Sequence, residues 1–239
     1  MKGDRDLPLQ TVYLLHSRPY RENSLLLNLL SAELGHISAV AYAGSSRKNS
    51  KKAQLQPFSV LEVQLKVSGS MYTLSQIESA TLPLPLSRQF LYSGFYLNEL
   101  CVRLLPQNIS CDPLFEQYHQ ALQQLNNQQS IEPILRKFEF SLLEELGLGI
   151  DFSVLETEPG VAERDSQYWY YLPEQGLIPA DYQLQADKFC YQHLIAIRDG
   201  KLQQSDVLLT CKALMRQVFK PLLGNRPLQS RKLFAYSKR

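Results

Sequence analysis

The chain has 239 residues, of which 44% are hydrophobic and 20% charged, and a formal net charge of +2. That balance is globular rather than disordered, and no apolar run reaches the roughly 18–20 residues needed to span a bilayer. The opening MKGDRDLPLQ lacks the apolar stretch of a signal peptide, so a cytoplasmic protein is expected.

The charge is unevenly spread. Residues 1–80 carry a net +3, residues 81–160 a net −6 and residues 161–239 a net +5. Basic residues cluster at Arg47, Lys48, Lys51 and Lys52 and again at Arg226, Arg231, Lys232, Lys238 and Arg239. A polyanion fits such patches, because each Lys or Arg that meets a phosphate releases condensed counterions.

The first eighty residues read mostly as strand. Leu61–Val67 (LEVQLKV) alternates strictly, so one face is buried and the other wet. Ser68-Gly69-Ser70 reads as a turn and Met71–Ile77 as the returning strand. Thr11–Leu15 and Ile37–Tyr42 are further strand candidates. Four or five short strands in this span predict a small barrel. Ser24–Leu34 (SLLLNLLSAEL) resists, since its composition favours helix.

The middle reads as helical. Arg88–Leu105 has a broad apolar face. Asp112 is the expected N-cap of a second helix, with Pro113 at its first position. Ser130 is the expected cap of a third, and Gly147 ends it. In the last third, Tyr168–Leu172 is β-prone, Pro173–Gly176 reads as its turn, and Gly160–Ser166 as a polar loop. Ser205 is the expected cap of a helix that runs to about Leu223.

No catalytic constellation stands out. There is no phosphate-binding glycine loop, no nucleophile elbow and no H-E-x-x-H. His16, His36, His119 and His193 are isolated from one another. The four cysteines, Cys101, Cys111, Cys190 and Cys211, form no C-x-x-C pair, so neither zinc nor another metal is expected. Cys101 and Cys211 read as small core residues. No cofactor is expected, and an enzyme is not the favoured class.

These residues together resemble the RecO family of bacterial recombination mediators. The resemblance rests on Leu15–Leu25 (LHSRPYRENSL), Leu55–Phe58 (LQPF), Leu91–Leu100 (LYSGFYLNEL), Glu132–Glu139 (EPILRKFE), Leu142–Gly147 (LLEELG) and Pro227–Arg231 (PLQSR), in order and at compatible spacing. It implies an α+β protein: an N-terminal OB-fold barrel over residues 1–80, a helical domain over 81–150, and a mixed C-terminal region over 151–239 packed on the helices. It also implies that Leu25–Leu30 is a barrel strand despite its propensity. Many members carry two C-x-x-C pairs just after the Leu-Gly-x-Gly segment. Here residues 147–171 contain no Cys, so the chain resembles the zinc-free kind.

The resemblance further implies binding of single- and double-stranded DNA, strand annealing and a nucleoid-associated location. It implies partnership with RecR, with the acidic C-terminal tail of single-strand DNA-binding protein (SSB), and indirectly with RecA. The DNA candidates are Arg18, Arg21, Arg47, Lys48, Lys51 and Lys52, with Arg226, Arg231 and Lys232 as a second basic group. Tyr20 is a candidate for base stacking, with burial in the barrel as the other reading. Arg136, and after it Lys137, are the candidates for the SSB tail, being a basic pair in an acidic region. Pairing of Arg136 with Glu132 or Glu139 along one helix is the competing reading. The alternative function is an adaptor that contacts only protein partners.

Overall fold

A computed structural model of the chain describes residues 5–42, 51–68, 71–157, 168–180 and 187–236. They fall into two compact units, one of residues 1–129 with 228–239 and the other of residues 130–227. Among the described residues no helix is long and apolar enough to cross a membrane.

The first unit opens with a barrel. Strands β1 (Arg5–Asp6), β2 (Gln10–Tyr20), β3 (Ser24–Ser31) and β4 (Gly35–Tyr42) precede a short helix α1 (Lys51–Gln54). Strands β5 (Val60–Ser68) and β6 (Met71–Ala80) follow. The order is β1-β5-β2-β3-β4-β6, and pairing of β5 with β6 closes the sheet on itself. All pairings are antiparallel except β4 with β6. Five strands closed in this way make an OB-like barrel. Val12, Leu14, Leu27, Leu29, Ile37, Ala39, Leu61, Val63 and Leu65 fill it, each at most 2% exposed.

The leucine-rich segment is strand β3, and the reason is burial on both faces towards its Leu30 end. Leu27 and Leu29 point into the barrel while Leu30, on the outer face, is also fully buried. A strand covered on both sides reads as a continuous apolar run, which by composition alone looks like helix.

Helices α2 (Arg88–Leu104) and α3 (Asp112–Asn126) belong to the same unit. The β2–β3 register shifts between Leu14 and His16, which takes the Leu15 carbonyl out of the ladder. Asn98 on α2 donates its Nδ2 to that carbonyl at 2.9 Å and accepts from the Tyr118 hydroxyl of α3 at 2.5 Å. Tyr13 of β2 reaches His119 Nδ1 of α3 at 2.5 Å. Desolvation, with Glu116 nearby, pushes Tyr13 up to about 12, so its hydroxyl stays protonated. These buried polar links satisfy groups that would otherwise be costly orphans.

The second unit contains α4 (Ile131–Glu145), α5 (Val154–Thr157), β7 (Tyr168–Leu172), β8 (Gly176–Pro179), β9 (Phe189–Cys190), α6 (Tyr191–Arg198) and α7 (Ser205–Leu223). Helix α7 packs on α4, α6 and β7, and Phe138, Trp169, Tyr170, Phe189 and Phe219 are buried there. Helix α4 ends at a Schellman turn: Leu148 N–H donates to Leu143 and Gly147 N–H to Glu144, with Gly147 at φ +68°.

Two helix starts differ from the sequence reading by one residue. Cys111 holds the cap position of α3, leaving Asp112 in the first turn, and Gln204 caps α7, leaving Ser205 helical. Ser130 does cap α4, without a side-chain hydrogen bond. The expected loop Gly160–Ser166 lies outside the described residues.

Candidate nucleic-acid interface

One rim of the barrel gathers Arg18, Tyr20 and Arg21. It is made by the end of β2, the turn Arg21–Asn23, the start of β3 and the end of β4. Arg18 lies opposite Leu26, and Tyr20 opposite Ser24. Both arginines are exposed and Tyr20 is half-buried. Arg21 sits at φ +53° in the turn, with its guanidinium 5.1 Å from the Tyr20 ring centroid, within cation–π reach. Lys51 and Lys52 begin α1. Arg47 and Lys48 lie outside the described residues.

On β3 and β4 the outward positions near this rim are Leu26, Val40 and Tyr42, with Tyr42 61% exposed. Tyr42 escaped the sequence reading as a site residue. Period-2 alternation from the buried Ile37, Ala39 and Ala41 places it outside, and that was the signal available.

The opposite end of the same outer face is sealed. The segment Leu105–Cys111, between α2 and α3, lies across it. Asn108 N–H donates to the His36 carbonyl at 3.0 Å, and Cys111 N–H to Ala32 at 3.1 Å. His36 Nδ1 donates to the Leu105 carbonyl at 3.2 Å, and its Nε2 faces Asn28 Oδ1 at 2.9 Å. Burial lowers the His36 pKa, opposed by the Leu105 bond. Gly35 permits the close approach: a Cβ there would lie 1.6 Å from the Ile109 oxygen. The open part of the face is therefore the part beside Arg18, Tyr20 and Arg21.

The second basic group divides between the units. Arg226, exposed, lies in the second unit, while Arg231 and Lys232 lie on helix α8 (Ser230–Tyr236) in the first. Helix α8 packs on α2. Glu99 accepts from the Gln229 and Ser230 N–H groups, each at 2.8 Å, and from the Ser230 hydroxyl at 2.6 Å. A carboxylate on the first amides of a helix is favoured by their orphan donors and by the helix dipole. Phe234 meets Tyr92 edge-on at 5.5 Å. Arg231 and Lys232 stay exposed while α8 is held from beneath.

Arg136 is placed differently from what an open peptide site requires. It is 5% exposed and its guanidinium meets Glu139 at 2.9 Å, which is the competing intrahelical reading. Lys137, the next residue, is exposed. Nearby Lys212 pairs with Glu132 at 2.6 Å. Burial pushes the Cys211 thiol up to about 12, which makes it inert. Among the described residues no three His, Cys, Asp or Glu side chains gather as metal ligands would.

With this geometry in view, comparison with known proteins settles the family. The profile "Recombination protein O N terminal" matches residues 9–82, and "Recombination protein O C terminal" matches residues 87–231. The chain belongs to the recombination protein O (RecO) family. A DNA repair protein RecO from Cellvibrio japonicus is 42% identical over 231 residues, covering 95% of this chain and 96% of that one. The DNA repair protein RecO of Pseudoalteromonas translucida is 37% identical over 97% of this chain and 99% of its own. One from Vibrio cholerae is 37% identical over 95% and 93%. RecO membership places the chain in DNA repair and recombination, and the N-terminal match spans the barrel that carries the basic rim.

Proposed function

We propose that this chain binds single- and double-stranded DNA through the barrel rim and anneals complementary strands without catalysing a covalent step. The observation that carries the reading is the register of β2, β3 and β4. It sets Arg18, Tyr20 and Arg21 beside the open half of the outer barrel face, the face OB folds use for oligonucleotides. Arg18 and Arg21 are the phosphate contacts, supplemented by Arg47, Lys48, Lys51 and Lys52. Arg231 and Lys232 offer a further cationic surface within the same unit. Annealing needs two polyanions held close with their bases unread, and scattered cations meet that need.

Family membership supports the proposed protein partners: RecR, the acidic SSB tail, and RecA as the recipient of the prepared strand. For the tail, Lys137 is the accessible cation of its pair, since Glu139 occupies Arg136.

Fluorescence anisotropy of a labelled single-stranded oligonucleotide across a salt series tests the reading. Affinity falls steeply with salt in the wild type, and Arg18→Ala and Arg21→Ala each reduce the slope of log K on log salt by about 0.7. Absence of binding at low salt refutes DNA contact and leaves an adaptor acting through proteins alone.

A further inference from the structure

Two tyrosines stand at one level on the open rim. Tyr20 pairs with Ser24, and Ser24 pairs with Tyr42, so the three form a row across β2, β3 and β4. Residues paired directly across strands project to the same face. The neighbouring pair, Leu25 and Ala41, turns to the barrel core, so the row faces outward. Two interstrand steps of about 4.8 Å put the tyrosines about 10 Å apart. Stacked bases are about 3.4 Å apart along a strand, so the gap holds three stacking intervals: ring, base, base, ring. Ser24, with only two side-chain heavy atoms, leaves the floor low. Arg18 projects from the same face of β2, two residues before Tyr20, and Arg21 lies against the Tyr20 ring.

The geometry points to a slot between Tyr20 and Tyr42 that takes two adjacent bases of a single DNA strand, with Arg18 and Arg21 on the flanking phosphates. The inference rests on the DNA-binding reading above and narrows it. Duplex bases already have neighbours on both faces, so they cannot enter without unstacking. Single-strand bases can, and stacking occupies only their faces. Their pairing edges stay outward, as annealing requires.

The test uses the full chain, a fluorescein-labelled oligo-dT, a blunt duplex of mixed sequence, and an oligo-dA carrying one 2-aminopurine. Tyr42→Ala is expected to weaken oligo-dT binding about tenfold, with Tyr42→Phe within about twofold of wild type. The salt slope and the duplex affinity stay unchanged. Wild type quenches the 2-aminopurine and Tyr42→Ala does not. Because Tyr42 is 61% exposed, its truncation leaves the fold intact. If Tyr42→Ala binds oligo-dT like wild type while Arg18→Ala weakens it, the slot is wrong and DNA binding at the rim stands. Equal weakening of single strand and duplex also overturns the slot. If no variant and no wild type binds any oligonucleotide at low salt, the DNA reading fails and takes the slot with it.

Discussion

Replacing Gly35 by Ala probes the contact that seals half of the outer barrel face. Two separate effects act there. The residue sits at φ +67°, where an added side chain costs about 1 kcal/mol. The new Cβ would also lie 1.6 Å from the Ile109 oxygen and 2.7 Å from its carbonyl carbon. That is backbone, so the Leu105–Cys111 segment must lift. Lifting it breaks Asn108 N–H to His36, Cys111 N–H to Ala32 and His36 to Leu105, at about 1 kcal/mol each. The sum is about 4 kcal/mol. Gly147→Ala is the control, because it stands at φ +68° with nothing within 4 Å, and only the conformational cost of about 1 kcal/mol applies. Hydrogen exchange read by mass spectrometry on peptides covering 31–40 and 105–111 measures the local opening. Gly35→Ala is expected to speed exchange there about a thousandfold. The sole Trp lies in the other unit, so its fluorescence is not the reporter. A Gly35→Ala cost no larger than that of Gly147→Ala would refute the reasoning.

Arg136→Ala removes the cation that faces the buried Glu139 carboxylate, and a urea titration followed by Trp169 fluorescence should show a loss of about 3 kcal/mol. The double substitution Arg136→Met, Glu139→Leu should recover most of it. Gln128 holds the left-handed position after α3 at φ +56°, with the Schellman bonds Gln129 N–H to Gln124 and Gln128 N–H to Leu125. Gln128→Gly should therefore stabilise the first unit by about 0.5–1 kcal/mol, seen as slower exchange across 112–126. Tyr13, raised from 10.0 to about 12 in the fold, stabilises only while protonated. Its contribution is complete below pH 10 and is lost as pH climbs through 12. Urea midpoints by circular dichroism should fall over that window, and less steeply in Tyr13→Phe.

What the sequence reveals and what it hides follows from the range of each signal. Alternation is local, so Leu61–Val67 is legible as a strand. Leu25–Leu30 is not, because its outer face carries leucine at Leu26 and at Leu30, the latter covered by segments far along the chain, and no alternation survives. Resemblance to a family supplied what propensity withheld. Arg136 and Lys137 are adjacent and alike in type, yet a turn of helix puts one beside Glu139 in the interior and the other in water. That difference depends on what packs against α4. The Glu99 contact with Gln229 and Ser230 spans some 130 residues and has no sequence signature at all. Tyr42 was readable in direction from the phase of β4, but its value depends on Tyr20 arriving at the same level, which only the register of three strands shows.

Helix α8 also sets a timetable for synthesis. Glu99 leaves the ribosome 131 residues before its partner Ser230. At a translation rate of about 5–20 residues per second, the barrel and α2 wait on the order of ten seconds for their last piece. The whole second unit is made in that interval. The patch on α2 that α8 will cover, Tyr92 and Glu99 included, is open throughout. A nascent chain is therefore exposed to wrong partners from the emergence of α2 until α8 follows, and docking of α8 ends that exposure.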